Sequence, residues 1–219
     1  MRKLIAAFVA VLMSTFAYEL KAQLLSDIEG LPPYKLGVTA GLNFSSFSNS
    51  ASKYTPGFDL GMNLMLDGSD LIKNCFARTE LKYSMKGAHY SGSKTLESGV
   101  VHYSDDISLH YIEIPVHVGY AWYVNENWSI MAETGPYFAF GLWGNVSQFD
   151  DAKGKRSTLS VFGDLDGSRF DMGWGVQASA MFLQDYQFHI SYDHGFINLG
   201  CYQWLQNRNI SLGFTYFFE

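Results

Sequence analysis

Two histidines and three carboxylates are the residues of this sequence best suited to chemistry. His117 and His189 lie in segments of alternating polarity, and the nearby acidic residues are Glu113, Glu133 and Asp193. Such groups can bind a metal ion or exchange protons. None has the local spacing of a His-Glu-x-x-His metal motif, and no Gly-x-Ser-x-Gly sequence marks a nucleophilic serine. We therefore expect no enzyme activity, no catalytic residue, no metal and no cofactor.

The composition narrows the class of protein that carries these residues. The 219 residues are 47% hydrophobic and 16% aromatic, with 16% charged residues and a net charge of −6. The hydrophobic content is too high for a disordered chain, and the acidic balance disfavours a nucleic-acid partner. Average soluble domains contain about 25% charged residues. The low charged fraction favours a surface that contacts lipid.

The first residues are typical of a secretory signal peptide. A short basic segment precedes the apolar run Leu4–Phe16, and small residues follow it. We expect cleavage after Ala17 or Ala22, so that residues 1–22 are the signal peptide and residues 23–219 form a single domain. The apolar run is shorter than the about 20 residues of a transmembrane helix. The sequence thus indicates an exported protein.

The rest of the chain alternates between apolar and polar or small residues. In one segment Trp128 and Ile130 share a face, whereas Ser129 and Glu133 share the other. A period of two indicates β-strands rather than helices. Eight segments follow this pattern: residues 34–46, 57–67, 75–87, 108–123, 128–143, 170–183, 187–196 and 207–218.

The strand lengths and connections predict an all-β fold that crosses a membrane. A tilted strand needs about 9 to 11 residues to span a bilayer. Connections after the odd segments are long and polar, including 88–107 and 144–169, whereas those after the even segments are short. This arrangement is typical of an eight-stranded antiparallel up-and-down transmembrane β-barrel. A soluble β-sandwich is the alternative, but aromatic residues near the strand ends favour the barrel.

The last strand resembles the C-terminal signal that the bacterial barrel-assembly machinery reads. The signal places a polar residue, a glycine and two aromatic residues at fixed spacing, and here these are Ser211, Gly213, Tyr216 and Phe218. Glu219 follows the aromatic residue that would normally end the chain. We expect the assembly machinery to be a partner during biogenesis.

Several motifs together resemble the PorT-like "porin family" of outer-membrane β-barrel domains common in Bacteroidota. They are Leu36–Ser45, Glu80–Ala88, Tyr111–Pro115, Gly135–Tyr137 and Tyr192–Leu199. The resemblance implies a barrel in the cell outer membrane of a Gram-negative bacterium, with outer-membrane lipid around it. It implies no activity and no catalytic residues.

If the apolar faces meet lipid, the opposite faces fill the lumen. An eight-stranded barrel is just wide enough for its own side chains, so we expect opposite charges to pair inside it. The expected polar network contains Arg78, Glu80, Lys82, Glu113, His117, Glu133, Asp171, Gln177, His189 and Asp193. Further lumen positions are Lys35, Thr39, Asn43, Asp59, Asn63 and Lys86.

A largely plugged polar lumen favours a structural role or an interaction through the outer loops. The longest loop carries charges of both signs and Val161 and Phe162, and its partner would be a protein, a glycan or lipopolysaccharide. Asp164, Asp166 and Gly167 also hint at an incomplete calcium turn. A narrow porin-like channel for small solutes is one alternative. An accessory component of a surface-protein secretion system, suggested only by the family name, is another.

Overall fold

The computed structural model describes residues 33–48, 52–96, 99–150, 155–200 and 205–218. The predicted signal peptide lies outside these residues. No helix in the described part of the chain is long and apolar enough to cross a membrane. The described residues form nine β-strands: β1 (Tyr34–Phe47), β2 (Lys53–Asp67), β3 (Cys75–Leu96), β4 (Gly99–Tyr123), β5 (Trp128–Asp150), β6 (Lys155–Ser160), β7 (Phe170–Phe182), β8 (Tyr186–Gly195) and β9 (Asn207–Phe218).

Eight of these strands close into an antiparallel barrel. Strands β1 to β5 pair in chain order, β5 pairs with β7, and β7, β8 and β9 follow in turn. The ring closes because β1 also pairs with β9, from Leu36↔Phe218 to Phe47↔Asn207. The prediction of an eight-stranded up-and-down barrel is confirmed. We call the end with long connections the outer end and the end with short turns the inner end.

Three strands continue beyond the barrel at the outer end. The ladder between β3 and β4 runs to the pair Leu96↔Gly99, and β5 continues to Asp150. Strand β6 pairs with β5 and with no other strand among the described residues. The segments 88–107 and 144–169, which we expected to be long polar connections, are therefore strand over much of their length. Beyond the barrel the sequence no longer alternates between apolar and polar residues, but the backbone pairing of the strands continues.

Strand β5 contains one extra residue near the outer end. His110 pairs with Trp143 and Tyr111 pairs with Gly141, so Leu142 has no partner in β4. Such a β-bulge shifts the alternation of side chains by one position. Odd-numbered residues of β5 point into the barrel up to Gly141, but Trp143 points outward and is 51% exposed.

Buried residues face the lumen and exposed apolar residues face outward. In β7, Asp171 and Gln177 are buried, whereas Trp174 and Val176 are about half exposed. The same alternation holds in β8, where Gln187 is buried and Phe188 is exposed. The barrel thus has an apolar outer surface around a polar interior, which is the reverse of a soluble protein.

Apolar side chains close the lumen at both ends. The inner plug consists of Phe76, Ala121, Met131, Met181 and Phe217, with Met65 packed against it. The outer plug consists of Phe47, Ala88, Ile107, Leu109, Tyr111, Tyr137, Ala139, Val146, Val161, Phe162, Leu199 and Leu205. Charged and polar residues fill the section between the two plugs.

Candidate functional site in the barrel lumen

The first group of lumen charges surrounds Arg78, which β3 directs inward. Its guanidinium forms ion pairs with Glu133 and, at 3.5 Å, with Glu80. It also donates a hydrogen bond of 3.0 Å to Gln187 Oε1. The imidazole Nδ1 of His117 lies 3.0 Å from the same carboxylate oxygen of Glu133. One arginine therefore links β3, β5 and β8 across the barrel.

The second group surrounds Glu113 of β4, which has no exposed surface. Lys82 forms an ion pair of 3.1 Å with Glu113 Oε1, and Lys86 pairs with Glu113 Oε2. The ammonium of Lys86 also lies 4.8 Å from the centre of the Tyr137 ring, within reach of a cation–π interaction. Buried charges are costly without partners. One carboxylate pairs here with two lysines, so it balances only one of their two positive charges.

Three further buried carboxylates accept hydrogen bonds from neutral side chains. These bonds are Ser211 to Asp59 at 2.9 Å, Asn207 to Asp171 at 2.8 Å and Asn209 to Asp193 at 3.4 Å. The described lumen thus holds six buried carboxylates and three bases: Asp59, Glu80, Glu113, Glu133, Asp171 and Asp193 against Arg78, Lys82 and Lys86. Carboxyl groups therefore outnumber lysine and arginine in the described lumen, where His117 is also buried.

The remaining predicted lumen residues take different places. Gln177 is buried and faces the lumen, and Thr39, Asn43 and Asn63 are also buried. His189 points at Gly213, where an added Cβ would come within 2.6 Å of the imidazole ring. Lys35 lies instead at the inner rim and donates a hydrogen bond of 2.9 Å to the carbonyl of Gln184.

The lumen also contains polar residues that the sequence analysis did not single out. Gln187 donates to Ser179 Oγ at 2.8 Å and accepts from Arg78. Tyr137 donates to Asp171 at 3.2 Å. Gln187 and Tyr137 both occupy inward positions of their strands, as the charged lumen residues do. The period of two therefore predicts them when uncharged polar residues are included.

The arrangement of these groups does not form a metal site. Among the described residues, no three His, Cys, Asp or Glu side chains could hold one ion. In the suspected calcium turn, Asp164 Oδ2 accepts a hydrogen bond of 2.8 Å from the Ser160 amide, so this carboxylate caps the turn. The contacts between the walls of the described lumen are ion pairs and hydrogen bonds.

The sequence match agrees with this geometry. Residues 29–200 match the outer membrane protein β-barrel domain family. The chain belongs to this family. No curated protein sequence matches the chain significantly. In an outer membrane barrel the exposed apolar surface faces lipid. The ring must also be closed, because only closed barrels and helices satisfy all their backbone groups in lipid.

Solved structures of other outer membrane proteins are similar in fold. Neisserial surface protein A is 15% identical and has a TM-score of 0.45, over 87% of this chain and 100% of that one. OprG from Pseudomonas aeruginosa is 11% identical with a TM-score of 0.43, over 88% and 100%. The attachment invasion locus protein Ail of Yersinia pestis is 14% identical with a TM-score of 0.39, over 84% and 98%.

The terminal strand of this outer membrane barrel divides its four motif residues between the two faces. Ser211 points inward and donates to Asp59, and Gly213 makes room for His189. Tyr216 lies on the outward face, and its ring contacts that of Phe218 at 5.4 Å between centroids. The polar residue and the glycine therefore also serve packing of the lumen.

Proposed function

We propose that this protein is a non-conducting, non-enzymatic barrel that anchors a β-sheet outside the outer membrane for contact with a protein or glycan. The observation that carries the proposal is the double closure of the lumen. Five strand residues close the inner end, and wall and loop residues together close the outer end. Apolar constrictions exclude water, and ions do not cross a dry constriction readily.

The extension of the barrel supports the interaction part of the proposal. Strands β3, β4, β5 and β6 form a continuous sheet beyond the barrel, and β6 exposes one edge because it pairs only with β5 among the described residues. Exposed strand edges and rigidly held loops are common binding surfaces. A filled barrel supplies the rigid base.

Conductance in planar lipid bilayers tests the closure. We expect the purified, folded protein to give no discrete current steps under conditions in which a general porin conducts. Insertion is checked by quenching of tryptophan fluorescence with brominated lipids, because Trp122 and Trp174 face outward. Reproducible steps from inserted protein would replace this proposal with the narrow-channel alternative.

A deletion tests the extracellular sheet. Replacement of residues 91–104 by a short turn removes most of the β3–β4 extension but keeps the pair Lys53↔His89 between β2 and β3. We expect the variant to reach the outer membrane and to lose binding of the surface partner. Co-purification of secretion components with both forms would instead favour the accessory role that the PorT-like resemblance suggests.

Export and assembly complete the proposal. We propose that residues 1–22 direct export and that β9 is read by the barrel-assembly machinery. Replacement of Tyr216 and Phe218 by alanine is expected to lower the amount of barrel in outer-membrane fractions. Leu212→Ala, an outward-facing change in the same strand, is the control that keeps the aromatic residues.

A further inference from the structure

Four ring-bearing residues form a continuous cluster on the outward face near the outer end. Phe58, Tyr83, His110 and Trp143 come from β2, β3, β4 and β5, and we call them the outer-rim cluster. The centroids of the His110 and Trp143 rings are 4.8 Å apart with an interplanar angle of 26°. Tyr83 lies 5.5 Å from Phe58 and 5.9 Å from His110.

The bulge in β5 creates this cluster. In a regular ladder Leu142 would pair with His110, and Trp143 would continue the inward series that includes Tyr137 and Gly141. The shift places the indole outside, directly opposite His110 in the ladder. Bulges are over-represented where a side chain is re-aimed for function. The outward position of Trp143 thus depends on the bulge and does not follow simply from the high aromatic content of the barrel.

The cluster lies at the outer edge of the apolar band. Trp122, at the inner end of the same strand β4, is twelve residues away from His110. Twelve residues of strand tilted by about 45° rise about 28 Å, close to the about 25 Å height of the apolar band of such barrels. The cluster therefore meets lipid headgroups rather than acyl chains.

The hydrogen bonds that join Tyr83, His110 and the neighbouring Ser108 leave one polar hydrogen without an acceptor among these three residues. Tyr83 Oη lies 2.5 Å from His110 Nδ1, and Ser108 Oγ lies 3.2 Å from His110 Nε2. A neutral imidazole has one N–H, so the three groups carry three polar hydrogens for two bonds. Whichever nitrogen holds the proton, one hydrogen remains for an acceptor outside the cluster. A headgroup that covers the cluster excludes water from this donor, so it binds best when it supplies the acceptor itself.

We propose that the outer-rim cluster binds the saccharide headgroup of an outer-leaflet glycolipid. A sugar ring lies on the exposed face of Trp143, and a sugar oxygen accepts the remaining hydrogen of the Tyr83–His110–Ser108 chain. A saccharide offers both an apolar ring face and several acceptors. A phospholipid ester offers an acceptor but no ring to stack on the indole, so the cluster selects the glycolipid.

The inner rim supplies a matched control. Trp122 is 51% exposed, as is Trp143, and its ring lies 4.9 Å from that of Tyr120. It lacks the bulge and the hydroxyl–imidazole chain among the described contacts. Trp122 and Trp143 therefore present the same area to the membrane at opposite leaflets.

The test is titration of the purified barrel with a deep-rough lipopolysaccharide, with bound glycolipid counted by native mass spectrometry. Wild type and Trp122→Leu should bind one glycolipid with equal affinity. Trp143→Leu keeps an apolar contact but cannot stack on a sugar ring, and we expect about tenfold weaker binding. Trp143→Phe, which retains an aromatic ring, should lie between them.

A phospholipid with matched acyl chains is the competing probe. We expect it to displace the glycolipid poorly and to bind wild type and Trp143→Leu equally. Equal glycolipid affinity of Trp143→Leu and Trp122→Leu, or full displacement by the phospholipid, would overturn the proposal. Far-UV circular dichroism confirms that each variant is folded before titration.

Discussion

The two plugs close the same lumen with different parts of the chain. Each residue of the inner plug, such as Phe76 or Phe217, belongs to a barrel strand. The outer plug also contains Val161, Phe162 and Leu199, which lie in the connections after β6 and β8. Removal of the inner plug therefore requires distortion of the barrel wall, whereas the connections at the outer end can move away from an intact barrel.

Both plugs use a phenylalanine ring that lies against a glycine of a neighbouring strand. A Cβ added to Gly119 would overlap the Phe76 ring at the inner end, and one added to Gly141 would overlap the Phe162 ring at the outer end. The packing is alike, but only the ring of Phe162 comes from a connection. The pair therefore isolates the effect of where the ring is anchored.

The largest difference is expected from deletion of a plug aromatic ring. Phe217 has no exposed surface, and Phe217→Ala should lower the free energy of unfolding by about 3–5 kcal/mol, as for other buried phenylalanines. Phe162→Ala should cost less than half as much, because the connection can settle into the space. Urea unfolding in lipid vesicles measures both, and equal losses would show that the outer plug is as rigid as the inner one.

Alanine at the two glycines should give the next largest difference. We expect Gly119→Ala to lower the free energy of unfolding by about 1–3 kcal/mol, because overpacking strains the wall. The Ala132 carbonyl, 2.8 Å from the added Cβ, adds to the strain. Gly141→Ala should instead displace Phe162 and leave barrel stability nearly unchanged. Hydrogen exchange at the Val161 and Gly167 amides would then be faster in Gly141→Ala alone.

The alternation of side chains with a period of two predicted the strands of the barrel and many of the residues that face the lumen. It assigned Arg78, Glu80 and Lys82 to one face, because successive side chains in a strand point to opposite sides. It could not assign partners, since Arg78 reaches Glu133 two strands away and that distance depends on the curvature of the closed barrel. The plugs were also missed, because apolar residues at inward positions look the same as those that face lipid.

The bulge and the long hairpins were beyond sequence patterns for related reasons. Leu142 and Trp143 are both apolar, so nothing in their types marks which one is the extra residue. The sequence of the β3–β4 extension is largely polar and shows no regular alternation with apolar residues. No alternation then distinguishes a paired strand from a polar loop, and only the backbone ladder reveals it.

A smaller effect is expected from Arg169, which fastens the connection to the outer end. Its guanidinium donates to the carbonyls of Gly141 and Leu142, each at 2.9 Å, and lies 5.1 Å from the Phe162 ring. Arg169→Ala should cost about 1 kcal/mol of local stability. The Val161 and Gly167 amides would exchange about fivefold faster, and Arg169→Lys should restore part of the protection. Faster exchange in the barrel strands as well would contradict a local role.

The smallest effect concerns the sheet beyond the outer plug. Burial raises the pKa of Asp105, and the nearby Asp106 raises it further, although His89 opposes this. A raised pKa in the folded hairpin means that ionisation of Asp105 destabilises the hairpin. This loss of stability is absent in acid and complete once the pH exceeds the raised pKa. Asp105→Asn should therefore slow hydrogen exchange of the hairpin at pH 7 and change nothing at about pH 3, where the carboxyl is protonated in both states.

Asp106→Asn is the matched control for this prediction. Replacement of Asp106 relieves its repulsion of Asp105 but weakens its contact of 2.6 Å with His89 Nδ1. We expect the loss of this direct contact to be the larger effect and to speed exchange of the same amides. Opposite signs for two adjacent aspartates would show that the stability of the hairpin depends on the local surroundings of each charge. A change of equal sign in both variants would indicate that net charge alone, rather than burial of Asp105, governs the stability of the extension.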